Sequence, residues 1–174
     1  PIAEGPVIQK ANIRALKNNV TTDDVFQMID EIKNDVDIPM VFMTYLNVLF
    51  KYGYDRFLTR AKEVGICGVI IPDLPYEEKG ELQSVAKNYG IEVVSLIAPT
   101  SEERIKMIAA DAEGFVYAVS SLGVTGVRNE IKTDLESITA AVKEATDIPV
   151  AIGFGISTPE QAKKYAAVSD GVIV

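Results

Sequence analysis

Two acidic residues lie in turns where a carboxylate could take part in catalysis. Glu4 belongs to an opening loop, residues 1–9, in which the acid is followed directly by Gly-Pro and a short helical segment. A positioned carboxylate can accept or deliver a proton, although a loop glutamate taken alone is most often a solvated surface group. Asp73 follows an apolar run and precedes a helix; capping or positioning of that loop explains it better than catalysis does.

A glycine-rich turn near the end of the chain could bind an anion. Residues 153–160 read Gly-Phe-Gly-Ile-Ser-Thr-Pro-Glu, so that an apolar run ends in glycines and enters a helix with an early proline. Unobstructed backbone amides at such a point, around Phe154 and Gly155, can hold a phosphate dianion. The same residues would also serve an ordinary tight turn, and the motif alone does not distinguish the two.

A third stretch could close over a pocket. Residues 115–126 form an apolar run that enters a glycine-bracketed loop, and the loop continues to about Asp134. A loop of this length and composition can open and close at the ends of strands, or it can be a plain connection. Tyr117 and Tyr45 lie near the ends of two apolar runs, where aromatic side chains mostly pack, although a hydroxyl there can orient a substrate.

The composition excludes several kinds of chemistry. The chain has 174 residues, 48% of them apolar, no histidine and a net charge of −8. Without histidine there is no imidazole acid–base chemistry and no histidine-bound zinc, and we expect no metal site. The acidic charge argues against nucleic acid as a partner. No apolar stretch is long enough for a membrane helix, which predicts a cytoplasmic protein. The single cysteine, Cys67, is predicted to pack in the core.

Six apolar runs separated by amphipathic helices must position these residues. Continuous apolar character indicates strands buried on both faces, as in a parallel sheet. Capping signals open four of the helices, each a Ser or Thr followed three residues later by an acid, at Thr21, Thr100, Thr133 and Ser157. The predicted strands cover residues 39–45, 68–72, 92–98, 114–120, 149–154 and 171–174.

The repeated strand–helix alternation fits either a (β/α)₈ TIM barrel or a doubly wound sheet. The barrel is favoured because no glycine-rich dinucleotide fingerprint follows an early strand, and because the chemically suggestive residues are spread over the ends of several strands. Six strands instead of eight predict an incomplete barrel, strands three to eight, as a single partial domain over residues 1–174. Its open edges would need covering, so we expect a longer natural polypeptide.

Five motifs together resemble one family. The opening loop, residues 45–47, 72–75, 122–126 and 153–157 are similar, in the same order and at similar spacing, to tryptophan synthase α subunits. The likeness extends over essentially the whole chain. It implies a lyase of tryptophan biosynthesis that cleaves indole-3-glycerol phosphate to indole and glyceraldehyde 3-phosphate. It further implies an α₂β₂ complex in which indole passes to a β subunit; the pyridoxal phosphate is expected only there, and the α subunit uses no cofactor.

The resemblance also implies roles for individual residues. Glu4 falls where the family usually has an aspartate that accepts the proton of the indole N–H or a hydrogen bond from it, so the carboxylate is retained on a side chain one methylene longer. A second essential acid of the family, a glutamate, belongs to a strand ahead of Pro1. Tyr117 matches a tyrosine that lines the pocket. Further substrate contacts are expected at Tyr45, Thr125, Gly126, Phe154 and Gly155. The surface for the β subunit is expected to include Asn47, Leu74 and Pro75.

Carboxylate chemistry agrees with this composition. A retro-aldol cleavage needs an electron sink, and no predicted strand ends in a lysine that could form a Schiff base. Protonation of the indole ring at C3 makes the ring itself the sink, and carboxylates suffice for that step. Two alternatives remain open: a non-catalytic fragment or paralogue that only binds the β subunit, and another phosphate-binding barrel enzyme that shares the phosphate end.

Overall fold

The computed structural model describes residues 4–120 and 134–174, in which short parallel strands alternate with helices. The strands are β1 (Met40–Met43), β2 (Ile66–Ile70), β3 (Glu92–Ile97), β4 (Val116–Val119), β5 (Val150–Gly153) and β6 (Gly171–Val172). The helices are α1 (Pro6–Lys17), α2 (Thr22–Ile32), α3 (Leu46–Tyr52), α4 (Tyr54–Glu63), α5 (Lys79–Lys87), α6 (Glu102–Ala110), α7 (Leu135–Ala145) and α8 (Pro159–Ala166), with a 3₁₀ turn at Tyr76–Glu78. None of these helices is long and apolar enough to cross a membrane.

The chain divides into two compact units. The first runs from Pro6 to Val93, and the second contains residues 94–174 together with Glu4 and Gly5. Each unit has its own parallel strands, which confirms the parallel arrangement that the unbroken apolar runs predict. The observed strands lie within or beside the predicted runs and are mostly shorter, because the residues at the ends of the runs enter the connecting turns.

An aromatic cluster forms the core of the first unit. The ring of Phe26, on α2, is fully buried, and its centroid lies 5.1 Å from that of Phe57 and 5.6 Å from that of Phe42. Both contacts have an edge-to-face geometry, which aromatic pairs prefer. Phe42 comes from β1 and Phe57 from α4, so the cluster fixes two helices against one strand.

Cys67 is exposed, so the prediction that it packs in the core is wrong. The strands β1 and β2 pair in parallel, but Met40 is opposite Ile66 and Val41 is opposite Gly68. Cys67 is therefore the extra residue of a bulge and has no partner position across the strand pair. Its neighbours Ile66 and Gly68 are both buried, whereas its own side chain is turned out of the core.

Strands β3 to β6 form the parallel part of the second unit. β4 pairs with β3 on one side and with β5 on the other, and Val119 is opposite Gly153. All four residues of β4 are buried, as expected for a strand that is covered on both faces. The carboxyl ends of β4 and β5 consequently lie side by side, which brings Ser120 next to the glycine-rich turn.

The helix starts are one residue off at three of the four predicted caps. The capping box of Thr21 with Asp24 is confirmed. Helix α6 is capped by Ser101 instead of Thr100, α7 by Asp134 instead of Thr133, and α8 by Thr158 instead of Ser157. In α8 the reason is Pro159, which favours the first helical position and so makes the preceding residue the cap. In α7 the aspartate is simply the better capping residue.

Candidate active site

The turn after β5 has a strained backbone. Phe154 has φ 73° and Gly155 has φ 78°. Glycine adopts this left-handed region readily, but a bulky side chain does so at a cost. Phe154 is also buried, with 9% of its surface exposed. A strained residue of this kind persists only where its surroundings hold it, and such positions concentrate at functional sites.

Ser120 is one of the groups that hold the turn. Its side chain is fully buried, and its hydroxyl donates a hydrogen bond to the carbonyl oxygen of Phe154. The peptide bond between Phe154 and Gly155 is trans, so its C=O and its N–H point in opposite directions. Because the carbonyl of Phe154 accepts a hydrogen bond from Ser120, the N–H of Gly155 points away from Ser120.

The amides of Ser157 and Thr158, the two residues that precede α8, are already engaged. The Oε1 atom of Gln161 accepts hydrogen bonds from the backbone N–H of Ser157 at 2.9 Å and of Thr158 at 3.2 Å. By contrast, no residue in the described part of the chain accepts a hydrogen bond from the N–H of Gly155 or Ile156. Of the amides of residues 155–158, those of Gly155 and Ile156 are therefore the candidates for binding an anion.

Tyr117 packs against this turn from β4. Its ring centroid lies 5.8 Å from that of Phe154, and burial raises the pKa of its hydroxyl to about 12, an effect that a backbone hydrogen bond from Phe154 partly opposes. Tyr117 is thus a neutral hydroxyl at physiological pH. The ring also covers Gly153: a Cβ placed there would lie 2.6 Å from Cζ of Tyr117, so only glycine fits.

The predicted acid belongs to the same unit as the turn. Glu4 and Gly5 group with residues 94–174, which contain Tyr117, Phe154 and Gly155. Glu4 is half-buried and Gly5 is buried. The carboxylate that sequence reasoning singled out is therefore part of the unit that carries the strained turn. Thr125 and Gly126, the predicted closing-loop residues, lie outside the described residues.

Asp73 organises the predicted partner surface. Its Oδ1 accepts a hydrogen bond of 2.9 Å from the backbone N–H of Leu46, the first residue of α3. Tyr45, at the cap of that helix, is half-buried and provides no side-chain cap, so Asp73 replaces it. This agrees with the positioning role predicted for Asp73. The bond joins the loop after β2 to the start of α3, which carry the predicted interface residues: Asn47 and Pro75 are exposed, and Leu74 packs partly on the core.

Sequence reasoning missed Ser120 and Gln161, and it included Gly153 in the glycine-rich turn without predicting the contact of Gly153 with Tyr117. Ser120 and Gly153 act through contacts with residues far away in the chain, and a serine after a buried strand gives no local signal of this. Gln161 does have a local signal, because it lies three residues after Thr158 and completes a capping box. The overlapping pair of Ser157 and Glu160 obscured it.

Parallel strands connected by helices, with a glycine turn at the carboxyl end of β5, are the features of a (β/α) barrel, and similarity to solved structures shows that this chain is an incomplete barrel. The solved tryptophan synthase subunit alpha from Campylobacter jejuni superposes with a TM-score of 0.88 at 35% identity, over 100% of this chain and 70% of that one. The family described as "Tryptophan synthase alpha chain" matches residues 1–174. The chain belongs to the tryptophan synthase alpha chain family.

Curated relatives agree with this assignment. The tryptophan synthase alpha chain of Lacticaseibacillus casei is 49% identical over 174 residues, and that of Thermoanaerobacter sp. (strain X514) is 50% identical over the same length. Each alignment covers 100% of this chain, which spans 65% and 66% of the respective relatives. Family membership argues against an unrelated phosphate-binding barrel enzyme.

Proposed function

We propose that the full-length protein containing these residues is a carbon–carbon lyase that cleaves indole-3-glycerol phosphate to indole and glyceraldehyde 3-phosphate. The observation that carries the proposal is the match of all 174 residues to the alpha chain family. The strained turn at Phe154 and Gly155 supports it, because backbone amides at such a turn after a barrel strand are a common binding site for a substrate phosphate.

Glu4 is proposed to bind the indole N–H through its carboxylate. In the reaction, a proton is added at C3 of the indole ring and the proton of the adjacent glycerol hydroxyl is removed. The carbon–carbon bond then breaks, leaving an aldehyde and free indole. A carboxylate at the indole nitrogen stabilises the positive charge that develops on the ring. The resemblance assigns the proton transfers at C3 and at the hydroxyl to a second acid on a strand ahead of Pro1.

The turn after β5 is proposed to bind the phosphate. The N–H groups of Gly155 and Ile156 supply hydrogen bonds, Phe154 forms the adjoining wall, and the neutral hydroxyl of Tyr117 contributes orientation instead of proton transfer, since its pKa is raised to about 12. The family resemblance implies further substrate contacts at Tyr45, Thr125 and Gly126. No cofactor is required for these steps.

The activity assay is direct. The full-length protein is incubated with indole-3-glycerol phosphate, with and without a tryptophan synthase β subunit that carries pyridoxal phosphate, and indole release is measured. We expect turnover in both cases and faster turnover with the β subunit. Absence of indole under both conditions overturns the proposed lyase and leaves the binding-only alternative.

We propose that the surface for the β subunit includes Asn47, Leu74 and Pro75. Its two segments are joined by the hydrogen bond from Leu46 to Asp73, and exposed side chains next to a fixed backbone are suited to a partner contact. Alanine at Asn47 or Pro75 should weaken binding of a β subunit about tenfold in isothermal titration. The exposed Met107, on α6, is the control, and its alanine variant should bind like wild type.

A further inference from the structure

Two helices of this chain begin with the same capping box but differ in its charge. In α2, Thr21 is paired with Asp24, and in α8, Thr158 is paired with Gln161. In both boxes the third helical residue accepts a hydrogen bond from the cap N–H, at 2.7 Å in α2 and at 3.2 Å in α8. The geometry is shared, but α2 uses a carboxylate and α8 uses a neutral carboxamide.

A carboxylate would ordinarily be the stronger choice. The amino end of a helix carries a partial positive charge, and acids in the first turn stabilise it. A capping box accepts either glutamate or glutamine at this position. The difference between α2 and α8 that bears on this choice is the neighbouring structure, because α8 directly follows the turn at Phe154 and Gly155.

Gln161 also binds one amide more than its capping role needs. Besides the N–H of Thr158, its Oε1 accepts from the N–H of Ser157 at 2.9 Å. A single neutral oxygen thus occupies the amides of the two residues that lie between the Gly155 turn and α8 and that could otherwise bind an anion. Among residues 4–120 and 134–174, no group accepts a hydrogen bond from the N–H of Gly155 or Ile156, which makes these two amides the candidates for a ligand. The carboxamide of Gln161 introduces no formal negative charge at the capping box.

We propose that Gln161 is a specificity-determining positioning residue, whose neutral carboxamide caps α8 and directs a phosphate dianion to the Gly155 turn without repelling it. The inference rests on the proposed function, because it names the residue that tunes the phosphate end of the same site. Gln161 acts through the backbone it holds and through its lack of charge.

The substitution Gln161→Glu separates this role from simple capping. The two side chains have the same shape and both accept hydrogen bonds, so the capping box survives, and the added charge favours the helix end. A purely structural role therefore predicts equal or greater stability with unchanged ligand affinity. Charge repulsion predicts the opposite combination, namely retained stability with weaker binding of the dianion.

The experiment uses the full-length protein. Inorganic phosphate is titrated by isothermal calorimetry, indole release is measured at steady state, and Tm is recorded. For Gln161→Glu we expect Kd for phosphate and KM for substrate to rise about tenfold at low salt and less at high salt. We expect kcat to change by less than about twofold and Tm to stay level or rise.

Two further variants sharpen the reading. Glu160 is an exposed acid on the same turn, so the double variant Glu160→Gln with Gln161→Glu keeps the net charge and only moves it into the cap. We expect the double variant to lose most of the phosphate affinity that Gln161→Glu loses. Gln161→Ala removes the cap without adding charge, and we expect it to raise the Kd for phosphate less than Gln161→Glu does.

The outcomes separate the two proposals. Unchanged phosphate affinity in Gln161→Glu overturns the inference, as does an equal loss in Gln161→Ala, because charge would then not be the cause. A wild-type protein that binds no inorganic phosphate also overturns it. Should wild type bind phosphate, and Gln161→Glu lose it, while no indole is released, the inference stands and the proposed lyase fails.

Discussion

The turns after β2 and β5 are each joined to another segment by a side-chain hydrogen bond, but the two bonds have different effects. After β2, the carboxylate of Asp73 is fixed on the backbone N–H of Leu46 and holds the start of a neighbouring helix. After β5, the backbone of Phe154 is forced into the left-handed region and held there by Ser120. After β2, an acidic side chain caps the start of α3. After β5, the side chain of Ser120 helps to hold the backbone of Phe154 in an unfavourable conformation.

The comparison shows that residue type alone does not identify the functional end. Asp73 is the more obvious chemical group, but its oxygen is engaged in positioning. The backbone amides after β5 carry no distinctive side chain, yet their geometry is maintained against strain. An observed strain with identified supports is therefore better evidence for a ligand site than an acid at a strand end.

The largest difference should appear when a methyl group is added to each region. At Gly153 a Cβ would lie 2.6 Å from Cζ of Tyr117, whereas at Gly68 it would lie 3.2 Å from Cγ1 of Val41 and 3.3 Å from the backbone oxygen of Glu92, so that only a small shift is needed there. Alanine at Gly153 should lower the free energy of unfolding by about 3 kcal/mol and alanine at Gly68 by less than about 1 kcal/mol. Chemical denaturation measures the free energy of unfolding of both variants. Equal losses of stability would contradict the close packing of Tyr117 against Gly153.

The buried hydroxyl of Tyr117 makes stability depend on pH. Its pKa is raised to about 12 from a usual value of 10, so the folded state holds the proton more tightly than the unfolded state. This contribution is complete below pH 10 and is lost as the pH rises toward 12, with a total of about 2–3 kcal/mol.

The variant Tyr117→Phe isolates this effect. Other tyrosines with raised pKa values, Tyr52 and Tyr54, titrate in both proteins and cancel in the difference. The stability difference between wild type and variant should stay constant up to about pH 10 and then shift in favour of the variant. A difference that is flat to pH 12 would show that Tyr117 is not buried against the turn.

A smaller effect should distinguish two buried hydroxyls. Replacing Ser120 by alanine leaves the carbonyl of Phe154 without its donor and should cost about 1–2 kcal/mol of stability, with a raised KM. Thr139, on α7, is the control: within the described part of the chain its buried Oγ1 has no hydrogen-bond partner, so Thr139→Val should be neutral or stabilising. A neutral Ser120→Ala would mean that the turn does not depend on this bond.

The sequence was sufficient for the architecture and insufficient for the site geometry. Unbroken apolar runs such as residues 114–120 predict buried parallel strands because both faces of the sheet must be covered. Glu4 and the glycine turn were predicted from the sequence as site residues, and both belong to the second unit. The support of Phe154 by Ser120 was not, because those residues are 34 positions apart and no local pattern links them.

Local signals failed where two of them overlapped or where the strand pairing was irregular. Neighbouring residues competed for the cap of α8, and Pro159 decided between them. Cys67 lies in an apolar stretch, but the bulge between β1 and β2 turns it outward. Both errors concern a shift of one residue, which periodicity does not resolve.

The most direct test compares the effects on turnover of neutralising Glu4 and of neutralising Asp73. In the full-length protein, indole release from indole-3-glycerol phosphate is measured for Glu4→Gln and for Asp73→Asn, with folding checked by circular dichroism. We predict that Glu4→Gln lowers turnover at least about 100-fold with the fold intact, the scale of a positioned group that stabilises charge in the transition state, and that Asp73→Asn lowers it less than about tenfold. Near-wild-type turnover in Glu4→Gln, or a larger loss in Asp73→Asn, would contradict the account.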